Sequence, residues 1–120
     1  MSESKEYVSR NFESGSIHIS EEVVASIVTM AAQEVEGVYG LSTNIANKKN
    51  SSKSVRLTIS AEDEISVDCY IIVLYGYSVV EVAKAVQEAV TARVESTTAC
   101  KVSSVNVCIS GISLPRGEKK

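Results

Sequence analysis

The side chains that could support catalysis or hold a metal are few and widely separated. His18 is the single histidine of the chain, and Cys69, Cys100 and Cys108 are its three cysteines. Nucleophilic catalysis needs a base beside the nucleophile, usually a histidine, but His18 lies in a short alternating segment that turns it toward solvent. The cysteines form no Cys-x-x-Cys pair, and His18 has no partner at zinc-site spacing. We therefore expect no catalytic residues, no metal site, no cofactor and no enzymatic activity.

The carboxylates and glycines do not form a catalytic pattern either. Most Asp and Glu residues fall at expected helix starts, on outer helix faces or in the turn 61–64, where charged side chains are solvated. Asp68 is interpreted as a carboxylate near the open end of a sheet. The segment 37–40 lacks both the lysine of a phosphate-binding loop and the three glycines of a dinucleotide fingerprint.

The junction between a strand and a helix is one candidate contact with a partner. Tyr75, Gly76 and Tyr77 precede the free amides of an expected helix start, which can bind an anion or another protein. The alternative is structural: Gly76 permits the turn, and the tyrosines cover the end of the core. The residues favour this structural interpretation.

A second candidate contact lies in the polar connection 43–54. Lys48, Lys49 and Lys53 give this segment local positive charge. These lysines could contact acidic headgroups or an acidic partner, whereas the competing interpretation is an ordinary solvated loop, which the composition favours. Losing partner or membrane binding when all three are replaced would support the first interpretation.

The stretch 65–95 must position these residues. Alternate residues from Ile65 to Tyr75 are apolar, which predicts a strand. Its opposite face turns apolar toward the end, which indicates that both faces are covered there. Ser78 and Glu81 have the spacing of a capping box, and the apolar stripe that follows predicts an amphipathic helix.

The remaining elements follow from the same periodicities. Alternation predicts a strand over 15–20, with Ile17 and Ile19 facing inward, and the next apolar stripe predicts a helix over 21–36 closed by Gly37. Further strands are predicted over 38–41, 55–60 and 102–110. The fold predicted from this order is a two-layer α+β sandwich, with two amphipathic helices on one face of a mixed four- to five-stranded sheet.

The length of 120 residues suits one domain. We expect a flexible arm over 1–14, a single domain over 15–114 and a charged tail over 115–120. The arm has no apolar segment of a secretory signal, and the longest apolar run, Cys69–Tyr75, is far shorter than a bilayer-spanning helix. No direct membrane span is expected.

Charge and cysteine usage limit the partners and the compartment. The formal net charge of −3 argues against a dedicated nucleic-acid binder, because phosphate neutralisation needs clustered Lys and Arg. Three widely spaced cysteines exclude a complete disulfide framework and indicate reduced thiols in a cytoplasm, two of them packed as small apolar groups.

Five segments together resemble the alkaline shock protein family of Gram-positive bacteria, also called the general-stress or envelope-stress-response family. They occur in the family's order and spacing, and the similarity covers nearly all of 15–112; the segments are 15–24, 32–38, 65–68, 75–78 and 102–107. The chain departs from the family at Ala99, where such proteins often have Gly, so a different cap is expected at the exit of the second helix.

The resemblance implies a non-enzymatic interaction protein linked to cell-envelope stress or homeostasis. It also implies self-association into a homo-oligomer and docking to a membrane-anchored protein partner, with a cytoplasmic location at the inner face of the membrane. Relatives encoded near fatty-acid synthesis genes leave a regulatory subunit of that synthesis as one alternative. An RNA-binding module is another, because 37–40 has Gly-x-x-Gly spacing, although it carries no Lys or Arg and precedes a strand.

Overall fold

The computed structural model describes residues 7–41 and 54–114. This part of the chain forms six strands and two helices. In order they are β1 (Tyr7–Phe12), β2 (Gly15–Ser20), α1 (Glu21–Gln33), β3 (Val38–Leu41), β4 (Val55–Ile59), β5 (Ile65–Leu74), α2 (Val79–Thr98) and β6 (Val102–Ser113).

β5 is the central strand of a mixed four-stranded sheet. β6 pairs with it in parallel along its whole length, so β3 and β4 must share its other edge, where both pair antiparallel. Leu41 of β3 pairs with Ile71, and Val55 of β4 pairs with Cys69. β3 and β4 therefore lie end to end, as two halves of one interrupted strand.

Both helices pack on one face of this sheet, which confirms the predicted fold class. The helix-facing residues of β5 are fully buried at 0% exposure, and they alternate as the sequence predicts: Ile65, Val67, Cys69, Ile71 and Val73. The helices cover them with apolar stripes, which consist of Val24, Val28, Ala31 and Ala32 from α1 and Val82, Val86, Val90 and Val94 from α2. The core is thus built mainly from branched aliphatic side chains at two periodicities.

The N-terminal cap of α2 forms as predicted, whereas its C-terminal cap differs from the prediction. The Glu81 N–H donates to Ser78 Oγ at 3.3 Å, and the helix runs on to Thr98. Ala99 then adopts the left-handed conformation, with a φ of 61°, and its N–H donates to the Glu95 carbonyl. The prediction of a different cap is wrong, because Ala99 takes the conformation that glycine favours there.

The exit of α1 differs from the prediction in length. The helix ends at Gln33 rather than at residue 36, and a turn leads to Gly37, whose φ is +98°. A Cβ atom at Gly37 would lie 2.7 Å from Val82 Cγ2 and 2.9 Å from Tyr77 Cδ2. Glycine is therefore needed both for this conformation and for the close approach of α2.

The expected flexible arm is wrong for the residues of β1. Tyr7–Phe12 pairs antiparallel with β2, and Val8 is fully buried. The Ser9 N–H donates to Asp63 Oδ1 at 3.0 Å, which ties the hairpin to the turn before β5. Composition missed this strand because its order comes from backbone pairing and one buried valine. Residues 1–6 and 115–120 lie outside the described residues.

β2 is a strand as predicted, but its isoleucines do not both face inward. Ile17 is 52% exposed and Ile19 is half-buried. The reason is that β2 pairs only with β1 in a separate two-stranded sheet and does not join the four-stranded one. No helix in the described ranges combines the length and apolar character needed to cross a bilayer.

Candidate functional site

The side chains with reactive chemistry do not converge. His18 is exposed and stacks on Tyr7, with 4.5 Å between ring centroids. Cys69 and Cys100 are buried, as predicted for two of the three thiols, whereas Cys108 is exposed. Within residues 7–41 and 54–114, no group of three or more His, Cys, Asp or Glu side chains could hold a metal ion.

Burial makes Cys69 a poor nucleophile. Desolvation, together with the negative charges of Cys108 and Asp68, raises the pKa of its thiol from 9.0 to about 11. The thiol form therefore dominates at neutral pH, and thiolate is the reactive species. Cys69 acts as a small apolar residue of the core.

The surface that distinguishes this molecule is the side of the four-stranded sheet opposite the helices, here called the open face. The strand registers place one set of alternating residues on it, namely Arg56 and Thr58 of β4, Ser66, Asp68, Tyr70, Ile72 and Leu74 of β5, and Ser104, Asn106 and Cys108 of β6. In the described part of the chain, no helix or strand lies over this face. The second covering layer that the sequence predicts near the end of β5 is therefore not among the described elements, and the connection 42–53 lies outside them.

One half of the open face is polar and internally bonded. Asn106 Nδ2 donates to Asp68 Oδ1 at 2.8 Å, and Arg56 pairs in register with Asp68 on the other side. The hydroxyls of Ser66 and Ser103 lie 3.0 Å apart. Asp68 is thus held in a surface network near the middle of the sheet rather than at its open end, and its contacts are those of a structural carboxylate.

The other half of the open face is apolar. Tyr70, Ile72 and Leu74 follow one another at alternate positions of β5, so they form a row roughly 13 Å long. All three are half-buried, and Cys108 pairs in register with Tyr70. We call these four residues the apolar row. The same alternation is present in the sequence, where it predicts a covering layer.

The junction after β5 separates its two tyrosines. Tyr75, the first residue after β5, is 64% exposed. The Tyr77 hydroxyl donates to Glu36 Oε2 at 3.1 Å, which raises the pKa of Tyr77 and links the two helix connections. Gly76 has a φ of +101° with open space around its missing Cβ, so the turn needs glycine for conformation alone.

The other sequence candidates have different outcomes. Lys48, Lys49 and Lys53 lie outside the described residues. The segment 37–40 begins at the buried exit of α1 and leads into β3, where Gly40 pairs with Ile72. It therefore leads into a strand rather than linking two helices as a nucleic-acid clamp would.

The cleft between the helices is lined by small side chains and crossed by an exposed ion pair. Small side chains on both helices, including Ala31 and Ala89, leave an open space of about 470 Å³ between α1 and α2. Arg93 Nη2 contacts Glu34 Oε1 across it at 2.8 Å, and both side chains are about half exposed. An exposed ion pair of this kind contributes little to stability.

Comparison with known proteins assigns the family. The model of the alkaline shock protein 23 family, described as having a cell envelope-related function, matches residues 9–114. This chain belongs to the alkaline shock protein family. The resemblance seen in the sequence is confirmed, and membership implies a cell envelope-related function for this family member.

Curated relatives support the same assignment. The uncharacterized protein YloU of Bacillus subtilis (strain 168) is 36% identical over 107 residues, covering 82% of this chain and 88% of YloU. The uncharacterized protein Spy1614 of Streptococcus pyogenes serotype M6 is 32% identical over 112 residues, covering 87% of this chain and 93% of that protein.

Solved structures share the fold of this alkaline shock family protein. One MamM CTD variant has a TM-score of 0.51 at 23% identity, covering 81% of this chain and all of that chain (100%). Another MamM CTD structure has a TM-score of 0.50 at 24% identity, covering 75% of this chain and 96% of that chain. At these identities the similarity concerns the fold alone.

Proposed function

We propose that this alkaline shock family protein is a non-enzymatic interaction module of the cell envelope. In this proposal it self-associates and docks through its open face to a membrane-anchored protein at the inner side of the membrane. The observation that carries the proposal is the apolar row, which follows a polar half on the same sheet face. Family membership supplies the connection to the envelope.

The row is unusual for a sheet face that meets solvent. Such faces are normally polar, as the half around Asp68 is here. Tyr70, Ile72 and Leu74 are instead contiguous, and they are followed by exposed Tyr75. A contiguous apolar patch beside a polar region is typical of a surface that a protein partner covers. Full burial of one such side chain contributes on the order of 1 kcal/mol.

The junction that follows β5 supplies groups suited to specificity. Tyr75 presents a large amphipathic ring, a residue type enriched at protein interfaces. Gly76 and Tyr77 fix the turn that holds this ring beyond the end of β5. Lys48, Lys49 and Lys53, which lie outside the described residues, are proposed as further positive contacts to an acidic segment of the partner.

Membrane fractionation tests the docking part of the proposal. Labelled protein would be incubated with native membrane vesicles, with the same vesicles after protease treatment, and with protein-free liposomes of the same lipids. Binding is expected only to the untreated vesicles, since the partner is a protein. The Ile72→Ser/Leu74→Ser double variant should lose most of this binding, whereas Ser104→Ala on the polar half should keep it.

Two outcomes would contradict the proposal. Equal binding to liposomes and native vesicles would mean that the protein contacts lipid directly, and equal binding of both variants would remove the apolar row from the contact. Thermal unfolding followed by circular dichroism would establish that each variant is folded. Light scattering across a concentration series tests self-association separately, and a strict monomer at the highest concentration would refute that part.

A further inference from the structure

The two edges of the four-stranded sheet differ in how well they resist pairing with another strand. The edge formed by β3 and β4 is interrupted between Leu41 and Val55, and its two pieces have four and five residues, with a bulge in β3. The β6 edge is a single strand of 12 residues. Short, interrupted edges resist strand addition, and long ones favour it.

β6 also lacks the residues that usually protect an edge. Val102–Ser113 contains no charged residue and no proline. Two register shifts interrupt its pairing with β5, one between Val102 and Ser104 and one between Ile109 and Gly111. Between these shifts, Ser104–Ile109 is a regular strand.

Side chains of α2 cover the first part of this edge. Gln87 Nε2 donates to the Val105 carbonyl at 3.0 Å, and Glu95 Oε2 accepts from the Val102 N–H at 3.0 Å. The Val105 carbonyl therefore points away from β5. Because backbone groups alternate along a strand, those of Val107 and Ile109 point outward as well. Among the described residues, no side chain hydrogen-bonds to them.

We propose that the β6 edge pairs antiparallel with the β6 edge of a second copy of this chain, on a two-fold axis at Cys108. This inference rests on the proposed self-association and names the surface that performs it. In this register Val107 lies opposite Ile109 of the second copy, and the outward N–H and C=O groups of both residues bond across the axis. The pairing leaves the Gln87 and Glu95 caps in place.

The strand complements itself across the proposed axis. Val107 and Ile109 face the helix layer and are half-buried, so the symmetric pairs bury β-branched side chains against each other. Asn106 lies opposite Ser110 of the second copy, the residue at the register shift that ends the regular segment, so this pair is also uncharged, and it is polar. The pairing segment carries no charge, so the two paired strands bring no like charges opposite each other. These matches favour a second copy over an unrelated strand.

The axis has a direct chemical readout. Cys108 is exposed, and its own backbone groups point toward β5, so the two copies of Cys108 form a non-hydrogen-bonded pair. The Cα atoms of such a pair lie about 4.5 Å apart, within the range that a disulfide spans. A mild added oxidant that takes two electrons and two protons from the pair should link the copies, while Cys69 and Cys100 stay buried.

Two variants of the full chain test the pairing surface by light scattering under reducing conditions. Cys108→Lys puts like charges opposite each other at the axis and should weaken dimerisation at least 10-fold. Thr58→Lys adds the same charge to the same face, but on β4, and should leave it unchanged. Circular dichroism melts would show that both variants are folded. Oxidation of the unmodified chain should give a covalent dimer that Cys108→Ser abolishes.

Each contrary outcome identifies what has failed. A dimer that is equally stable in both lysine variants would overturn the β6 pairing but leave self-association, and thus the proposed function, intact. If Cys108→Lys weakens the dimer but oxidation of the unmodified chain gives no disulfide, the register with Cys108 on the axis would be overturned. A monomeric unmodified chain would overturn the pairing and the self-association together, whereas docking to membranes would still be decided by the vesicle experiment.

Discussion

The two faces of β5 contain neighbouring residues of the same type in opposite situations. Ile71 is 0% exposed beneath the helices, whereas Ile72, the next residue, is half-buried on the open face. Both belong to β5, and both lie between the same neighbouring strands, β3 and β6. The difference teaches that burial on the helix side stabilises this fold, while the open side keeps part of its apolar surface exposed, which is the surface that the proposed function assigns to a partner.

The largest effect should come from a matched pair of alanine substitutions. Ile71→Ala leaves a cavity under the helices and should lower the free energy of unfolding by about 2–5 kcal/mol. Ile72→Ala should cost about 1 kcal/mol, because that side chain already contacts solvent. Urea unfolding followed by circular dichroism measures both. Equal costs would mean that the open face is covered in the folded monomer.

Thiol reactivity should differ between the faces by at least roughly 100-fold. The pKa of Cys69 is raised to about 11, which reduces its thiolate fraction at pH 8 about 100-fold relative to an ordinary cysteine. Because the pKa is raised, the thiolate fraction of Cys69 rises about 10-fold per pH unit above pH 8 and reaches one half only near pH 11. A time course of iodoacetamide labelling with peptide mass analysis should show Cys108 modified first. Equally fast modification of Cys69 would show that the helix layer opens readily.

A third test concerns the connection that holds α1 on the covered face. Gly37→Ala should lower the free energy of unfolding by about 1–3 kcal/mol, because a Cβ would meet Val82 and Tyr77 and because the φ of +98° is strained for alanine. Gly76→Ala is the control, since it has a similar φ of +101° but open space around the Cβ. Gly76→Ala should lower the free energy of unfolding only by the strain of placing alanine at a positive φ. If thermal melts show that the two variants lose the same stability, the close packing around Gly37 does not contribute.

The smallest effect has the opposite sign. Ala99→Gly should stabilise the protein by about 1 kcal/mol, because the left-handed conformation at φ 61° disfavours alanine. The same change at exposed Ala92 within α2 should destabilise it by about 1 kcal/mol. Chemical denaturation of the two variants gives the comparison. A loss of stability at both positions would argue against strain at Ala99.

The sequence predicts which residues form much of the candidate site, but not what lies above them. The alternation of β5 identified Tyr70, Ile72 and Leu74 as one face, and the junction Tyr75–Ser78 was correctly singled out as a turn before a capped helix. The described elements include no second layer over that face, and the sequence could not indicate this, because an apolar side chain gives the same pattern whether another element covers it or not. The link between Tyr77 and Glu36 joins residues far apart in the chain, so local spacing gave no signal for it.

The sequence by itself determined the two helices, most strands, the Ser78 cap and the family, because periodicity, capping and motif spacing are local properties of the chain. Only the tertiary structure decided that Tyr7–Phe12 is a strand and that β3 and β4 form one interrupted edge. It alone decided that the apolar row faces away from both helices and that β6 presents a long uncharged edge. The physical reason is that strand order and layer placement depend on backbone pairs between distant segments, and these pairs leave no periodic mark on either segment alone.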